Sequence, residues 1–458
     1  MQSSPPGPRQ DSGLFGAAPA DDRRRGEARK PRSRRPRTRQ PRTGQHWTRQ
    51  HWIWLGATVV VVVIAVAIAS TLAAGRSPFS RQHGSSPGRA AAGGPRPAVG
   101  NDPAGAVAGG TASPAAVIPS LTARQLAGQR VIYSYSGLTP PASLLQLIRH
   151  GDAAGVIFFS ANISSLAQIA AVTKELQQAN ASKLNPVRLP LLLMTDQEGG
   201  EVRRLPGQQP YLSEKQIGQS AHPAQQARIA GSGAAAALQG VGMNVNLAPV
   251  LDVFRKPGNF IDQFGRSYSS SAPKVSYLGT DFIKAQQAGG VEATAKHFPG
   301  LGAARKNQDT DVLPVTLNLS ASTIRRVDEM PYKAAISAGV KLVMVSWAVY
   351  PALDKNRPAG LSPVIVQGEL RQRLGFSGVT ITDALEAGAL RSFGTIRHRS
   401  QLAALAGMDL LLCAAQKVGE GQQALSGLEG GYTHGALSQP AFKAAVARIL
   451  ALRAGLPG

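Results

Sequence analysis

Short apolar runs alternate with longer segments of helical periodicity from about residue 120 to the end of the chain. This alternation predicts parallel strands joined by right-handed helical crossovers. Eight strands are predicted, over Val131–Tyr135, Gly155–Phe159, Leu191–Thr195, Met243–Ala248, Val291–Lys296, Lys341–Ser346, Val379–Thr382 and Met408–Cys413. Helices are predicted near 142–151, 164–180, 223–240, 272–289, 322–338, 363–374, 396–406 and 439–454.

Eight strand–helix repeats favour a closed α/β barrel of the (β/α)8 TIM type over an open doubly wound sheet. An open nucleotide-binding sheet would need a glycine-rich turn after its first strand, and Tyr135–Leu138 is not one. Residues 120–458 are numerous enough to bury a substantial core without disulfides. The sequence therefore predicts one barrel domain over 120–458.

The N-terminal region carries the signature of a membrane anchor. Residues 53–74 contain no charge, and a run of this length can cross a hydrocarbon core of about 30 Å. Residues 1–52 hold twelve arginines and one lysine against three aspartates and one glutamate, which predicts a disordered cytoplasmic tail. Residues 75–119 are rich in Gly, Pro and Ala and predict a flexible linker. The barrel is therefore expected outside the cell, with cleavage of the anchor left open.

Composition removes several classes of function. The 458 residues carry a formal net charge of +24, yet no aromatic interleaving or nucleic-acid motif accompanies the arginines, so no nucleic-acid partner is expected. Cys413 is the single cysteine, which excludes an intrachain disulfide or a Cys-rich zinc site. The sequence shows no His/Cys cluster, Walker loop or dinucleotide fingerprint. Neither a metal nor an organic cofactor is expected.

The active site of a (β/α)8 barrel lies at the carboxyl ends of its strands. Polar residues follow most of the predicted strands at this end. They are Asp196 and Glu198 after the third strand, Asp252 after the fourth, Lys296 and His297 at the fifth, Ser346 after the sixth and Asp383 after the seventh. Each could simply cap a helix or face solvent, but their convergence on one face predicts a functional site.

Five stretches of the chain resemble glycoside hydrolase family 3, in particular its compact bacterial β-N-acetylglucosaminidases (β-N-acetylhexosaminidases). They are MTDQEGGEVRR at 194–204, NLAPVLD at 246–252, GRSY at 265–268, KHFPGLG at 296–302 and LGFSGVTITDAL at 374–385. The resemblance extends over about residues 120–455. It implies a (β/α)8 barrel and a retaining mechanism through a covalent glycosyl-enzyme.

The resemblance also assigns individual roles. Asp383 corresponds to the family's nucleophile, and a cationic neighbourhood is expected to keep it ionised. The residues that correspond to the sugar-binding set are Asp196, Arg204, Arg266, Lys296 and His297.

One position departs from the family. In the acetylglucosaminidase branch, a loop after KHFPG ends in a histidine that acts as general acid/base. Here that loop is two residues longer, Asp311 takes the place of the histidine, and no histidine occurs between residues 298 and 397. Asp311 and Asp309 are the candidate acid/base residues, because either carboxyl could raise the pKa of the other. The neighbouring Arg305 and Lys306 would oppose such a shift.

Several alternatives follow from the missing histidine. Glu198, Glu386 or His398 could donate the proton from another loop. The barrel could also be a catalytically impaired glycan-binding or sensor module, a transglycosylase or a phosphorylase. The favoured interpretation is a single-pass membrane-anchored extracellular glycosidase, an exo-β-N-acetylhexosaminidase acting on cell-wall-derived amino sugars.

Overall fold

A computed structural model of the chain describes residues 114–456. Eight parallel strands follow the chain in order around a closed barrel, and the last strand pairs with the first. The strands are β1 (Val131–Tyr133), β2 (Gly155–Ile157), β3 (Leu192–Thr195), β4 (Val245–Asn246), β5 (Glu292–Phe298), β6 (Leu342–Val345), β7 (Val379–Ala384) and β8 (Leu410–Leu412). The predicted barrel is confirmed, and each strand ends within two residues of its predicted bounds.

Helices surround the barrel. They are α1 (Ala123–Gly128), α2 (Ala142–Arg149), α3 (Leu166–Asn180), α4 (Glu214–Gln219), α5 (Pro223–Gln239), α6 (Ala272–Ala288), α7 (Met330–Ser337), α8 (Ile396–Ala406), α9 (Val418–Thr433) and α10 (Gln439–Ala454). A short α-turn (Ala321–Thr323) and a π-turn (Ile324–Asp328) precede α7, and Val364–Arg373 is a π-helix. Five 3₁₀ segments lie at Pro114–Ser120, Ser160–Asn162, Asp262–Phe264, Ala359–Leu361 and Gly388–Phe393. Two hairpins pair Gln197–Gly199 with Val202–Arg203, and Val349–Tyr350 with Asp354–Pro358.

Alternating strand residues build two apolar layers. Ile132 of β1 belongs to the cluster that fills the barrel, whereas its neighbours Val131 and Tyr133 belong to the cluster between the strands and the helices. This follows from the two-residue period of a strand, which sends successive side chains to opposite faces. Both faces are apolar, as expected of parallel strands covered by helices.

The C-terminal helix closes one end of the barrel. Ile449 and Leu452 of α10 pack in the same cluster as Ile132. The buried Arg453 donates hydrogen bonds to the carbonyl oxygens of Leu189 and Pro190, at 2.6 and 2.8 Å. These carbonyls precede β3, so α10 covers the amino-terminal end of the strands and leaves the carboxyl end open.

Two helices follow β8, whereas the sequence predicts only the second of them, and α9 is the additional one. Its sequence contains five glycines, which are poor helix formers in isolation. Two of them serve close packing: a Cβ on Gly421 would lie 2.3 Å from the Tyr133 ring, and one on Gly427 would lie 2.4 Å from the carbonyl oxygen of Arg397. Helices α1 and α4 were not predicted either.

The anchor prediction lies outside this part of the chain. Among residues 114–456, none of the helices is both long and apolar enough to cross a membrane. The predicted tail at 1–52, the transmembrane segment at 53–74 and the linker up to residue 113 are outside the described residues.

Candidate active site

A cavity of about 470 Å³ opens at the carboxyl end of the barrel. Its apolar lining includes Ile157, Leu247, Met344 and Leu412, which lie at or directly after the four even-numbered strands. Alternate strands commonly contribute one layer of a barrel interior. A wider surface groove of about 750 Å³, beside α1 and α2, contains none of the predicted site residues. The cavity is lined by the predicted nucleophile, by both predicted acid/base residues and by the whole predicted sugar-binding set.

Lys296 and Arg266 hold two carboxylates on one side of the cavity. Lys296 Nζ lies 2.7 Å from both Asp196 Oδ1 and Glu198 Oε1. Arg266 binds Glu198 with both ends of its guanidinium, at 2.8 and 2.9 Å. Burial favours the neutral form of Glu198, but Arg266 and Lys296 outweigh it and hold the pKa of Glu198 well below its usual range. Glu198 is therefore excluded as a proton donor.

Arg204 lies near Asp196 as well, but at a longer distance than Lys296. Its Nη2 lies 4.0 Å from Asp196 Oδ2, and both side chains keep part of their surface open to the cavity. The backbone N–H groups of Arg204 and Leu205 donate to Gln197 Oε1 at 3.0 and 3.1 Å, which fixes the end of the hairpin. Arg204 and Asp196 can thus still bind an entering ligand.

His297 is oriented by a buried carboxylate that the sequence analysis had assigned no role. Asp252 Oδ2 lies 2.8 Å from His297 Nδ1, and Asp252 Oδ1 accepts the Leu301 N–H at 2.6 Å. A carboxylate at Nδ1 favours the tautomer with its proton there, which leaves Nε2 free as an acceptor. Two sequence signals point to Asp252: its position after a strand and its place at the end of the NLAPVLD stretch.

Lys296 and His297 both line the cavity although they are neighbours in one strand. Regular strands direct such neighbours to opposite faces. The pairing of β5 with β6 is irregular between Ala295 and Phe298, and the Lys296–His297 peptide is cis. A shift in strand register such as this one often redirects side chains beside active sites.

Asp383 ends β7 and faces the cavity. Its Oδ1 accepts the Ala384 N–H at 2.8 Å, and Trp347 Nε1 donates to the Ala384 carbonyl at 2.9 Å, which fixes the end of the strand. The expected cationic partners are engaged elsewhere, because Lys296 and Arg266 pair with other carboxylates. Within residues 114–456, Asp383 forms no ion pair with a lysine or arginine.

The loop with the two candidate acid/base residues crosses the cavity mouth, and both residues line the cavity. Asp309 Oδ1 accepts the Asp311 N–H at 2.9 Å, so Asp309 shapes the turn. The N–H groups of Gly388 and Ala389 donate to the carbonyls of Asp311 and Thr310 at 2.8 and 3.0 Å. A Cβ on Gly388 would lie 2.0 Å from the Val312 carbonyl oxygen, so this contact requires glycine.

The Asp311 carboxyl is solvent-accessible, and it lies among other carboxylates at the cavity. Burial by the surrounding loops and the negative charges of Asp383, Asp309 and Glu386 raise the pKa of Asp311 to about 7, although Arg266 opposes this. Arg305 and Lys306, which were expected to lower it, are both exposed. The pKa of Asp311 is raised and not lowered, because burial and the charges of Asp383, Asp309 and Glu386 outweigh the opposing cations.

The two other candidate proton donors, Glu386 and His398, differ in their position relative to the cavity. Glu386 lines the cavity, and burial together with the charge of Glu420 raises its pKa to about 8. Glu420 is buried, and its Oε1 has no hydrogen-bond partner among the described residues. His398 is exposed on α8 and does not line the cavity.

The cavity thus combines a strand-end carboxylate, a carboxyl that titrates near neutrality and a cationic ligand-binding wall. Two carboxyl groups that face one pocket of sugar size are the arrangement with which glycoside hydrolases cleave their substrates.

Comparison with known proteins gives the family. The profile described as "Glycosyl hydrolase family 3 N terminal domain" matches residues 125–452. A protein of Arthroderma benhamiae named an uncharacterized secreted glycosyl hydrolase is 47% identical over 330 residues, which cover 72% of this chain and 93% of that protein. The chain belongs to glycoside hydrolase family 3, as its motifs indicated, and is a glycoside hydrolase.

Solved structures show the same architecture. A family 3 β-N-acetylglucosaminidase from a Paenibacillus species superposes with a TM-score of 0.69 at 34% identity, covering 74% of this chain and 64% of that one. A β-N-acetylhexosaminidase from Beutenbergia cavernae superposes with a TM-score of 0.67 at 28% identity, covering 73% of this chain and 98% of that one.

Proposed function

We propose that the protein is an exo-acting, retaining β-N-acetylhexosaminidase that acts on cell-wall-derived amino sugars from a membrane anchor. The observation that carries the proposal is the placement of Asp383 and Asp311 in one cavity, with the pKa of Asp311 near 7. The names of the Paenibacillus and Beutenbergia enzymes support the choice of an N-acetylamino sugar.

In the proposed reaction Asp383 is the nucleophile and Asp311 is the general acid/base. The Asp383 carboxylate attacks the anomeric carbon while protonated Asp311 donates its proton to the glycosidic oxygen, so that the C–O bond breaks and the alcohol leaves. The sugar is then an ester of Asp383. In the second step ionised Asp311 takes a proton from water, whose oxygen attacks the anomeric carbon and releases Asp383.

The cationic wall would hold the sugar. Asp196 accepts hydrogen bonds from sugar hydroxyls, and Arg204 donates to hydroxyls or to the acetamido oxygen with its planar guanidinium. Lys296 is fixed by two carboxylates and His297 by Asp252, so the donors and acceptors that face the sugar are ordered before it binds. Such preorganisation lets binding energy contribute to the transition state.

Asp311 fits the acid/base role better than its rivals. Asp309 uses Oδ1 within its own turn, and Glu198 stays ionised between Arg266 and Lys296. Glu386 is the second candidate because it also lines the cavity with a raised pKa. Because the family's histidine is missing from the loop, a glycan-binding module without turnover is the alternative function.

The decisive experiment incubates the purified full-length chain with aryl and natural β-N-acetylglucosaminides and follows the anomeric products by NMR. We expect hydrolysis of both substrate types with initial release of the β-anomer, because two displacements restore the configuration. Binding without turnover of any β-N-acetylhexosaminide would favour the glycan-binding module. A phosphate requirement would indicate a phosphorylase, and predominant transfer to sugar acceptors a transglycosylase.

The anchor is part of the proposal and has its own test. It is supported by the uncharged run at 53–74 and by the arginines before it. Protease added to intact spheroplasts that express the full chain is expected to remove the barrel and to spare an epitope placed in the tail. Loss of the tail epitope with the barrel protected would contradict this orientation.

A further inference from the structure

Exposed apolar side chains are concentrated in the connections at the carboxyl end of the barrel, where the cavity opens. Among residues 114–456, five exposed large apolar residues lie in connections that follow the strands, at the carboxyl end of the barrel; they are Leu138, Tyr211, Phe264, Val312 and Leu313. At the opposite end, Leu184 is the only one in a connecting loop of the described chain. Apolar surface concentrated around a polar cavity is typical of a ligand-binding rim.

An aromatic pair extends this rim into the cavity. Phe260 lines the cavity wall and is half-buried, and Phe264 is 42% exposed outside it. The two rings meet edge to face with centroids 6.3 Å apart. We call Phe260 and Phe264 the aromatic platform.

The aromatic platform is attached to the loop that carries Asp311. The Phe260 N–H donates to the Ala304 carbonyl at 3.3 Å, and Gln263 Nε2 donates to the Lys306 carbonyl at 3.2 Å. Both acceptors belong to the loop that continues to Asp311. The platform and the proposed proton donor therefore share one wall of the cavity.

The geometry points to the aromatic platform as the subsite for the leaving group, and we propose that it binds the face of a second pyranose ring. This inference rests on the proposed function, because a general acid must contact the oxygen between the two sugars. The leaving sugar then lies on the Asp311 side, where the exposed C–H face of a pyranose can stack on an aromatic ring. The preferred substrate is accordingly a β-linked disaccharide or longer chain rather than a small alkyl glycoside.

The test measures kcat and KM for di-N-acetylchitobiose and for methyl β-N-acetylglucosaminide. Phe264→Ala is the informative variant because the exposed position tolerates truncation. We expect its loss of kcat/KM on the disaccharide to exceed that on the methyl glycoside by about three- to tenfold, mainly through KM. Phe264→Tyr keeps a ring and should restore the preference. Leu405→Ala, at an exposed apolar position of α8, should match the parent on both substrates.

The outcomes separate the two hypotheses. Equal losses on both substrates, or no loss on either, would overturn the leaving-group subsite while leaving the hydrolase intact. If the unmodified chain hydrolyses neither substrate nor an aryl glycoside, the proposed function itself is wrong. Failure of Phe264→Tyr to restore the preference would also overturn the stacking argument.

Discussion

Replacement of Asp383 by asparagine is expected to abolish turnover, lowering kcat by about 10⁴–10⁶-fold on every substrate, as loss of a nucleophile does elsewhere. The amide has nearly the same volume but cannot form the glycosyl ester. The Asp383 side chain accepts a hydrogen bond from the N–H of its neighbour Ala384, whose carbonyl is fixed by Trp347, so the substitution should not disturb the barrel. Steady-state rates on an aryl β-N-acetylglucosaminide, where chemistry needs little proton assistance, give the sharpest measurement.

A matched control distinguishes catalysis from folding. Asp281→Asn removes a carboxylate on α6 whose partner is the exposed Arg228. It should retain full activity, and both variants should melt within a few degrees of the parent. Residual activity above about one hundredth of the parent rate in Asp383→Asn would show that another group is the nucleophile.

Replacement of Asp311 by alanine is expected to separate natural from activated substrates. Loss of a general acid should slow di-N-acetylchitobiose by about 10²–10⁴-fold. An aryl glycoside with a good leaving group should be much less affected in its first step, because that group departs without a proton. Azide should then increase turnover, because it attacks the glycosyl ester of Asp383 without needing a base.

The pH profile provides an independent readout. The acid is competent only when protonated, and the pKa of Asp311 is raised to about 7. In the parent, kcat/KM on the natural substrate should therefore be retained below pH 7 and decline as the pH rises through it. The Asp311→Ala variant should lose this decline.

A variant of Glu386 tests whether Glu386, rather than Asp311, is the proton donor. If the decline persists in Asp311→Ala and the natural substrate is still hydrolysed at the parent rate, Asp311 is not the donor. Glu386→Gln should then remove the decline, because its pKa is also raised, to about 8. If Asp311 is the donor, Glu386→Gln should keep the decline but move it to lower pH, because one of the negative charges that raise the pKa of Asp311 is removed.

The strands were predictable because their signal is local. A parallel strand covered on both faces is a short apolar run, such as Leu191–Thr195, and it is bounded by polar turns. Asp383 was found for the same reason, since its motif lies within one strand end. Helix α9 was missed because its glycines oppose helix formation locally, and only contacts with Tyr133 and Arg397 explain them.

The sequence alone determined the order of the eight strands, the family and most of the residues that line the cavity, since each depends on neighbours in the chain. The tertiary structure decided how the side chains at the cavity are oriented and how the pKa of Asp311 is shifted. Asp252 orients His297 from 45 residues away, and Gly388 holds the loop of Asp311 from another strand end. The raised pKa of Asp311 arises because the fold surrounds its carboxyl with other loops and places it near the charges of Asp383 and Glu386. Burial and Coulomb interactions depend on distances in space, whereas Arg305 and Lys306, nearest in sequence, gave the opposite expectation.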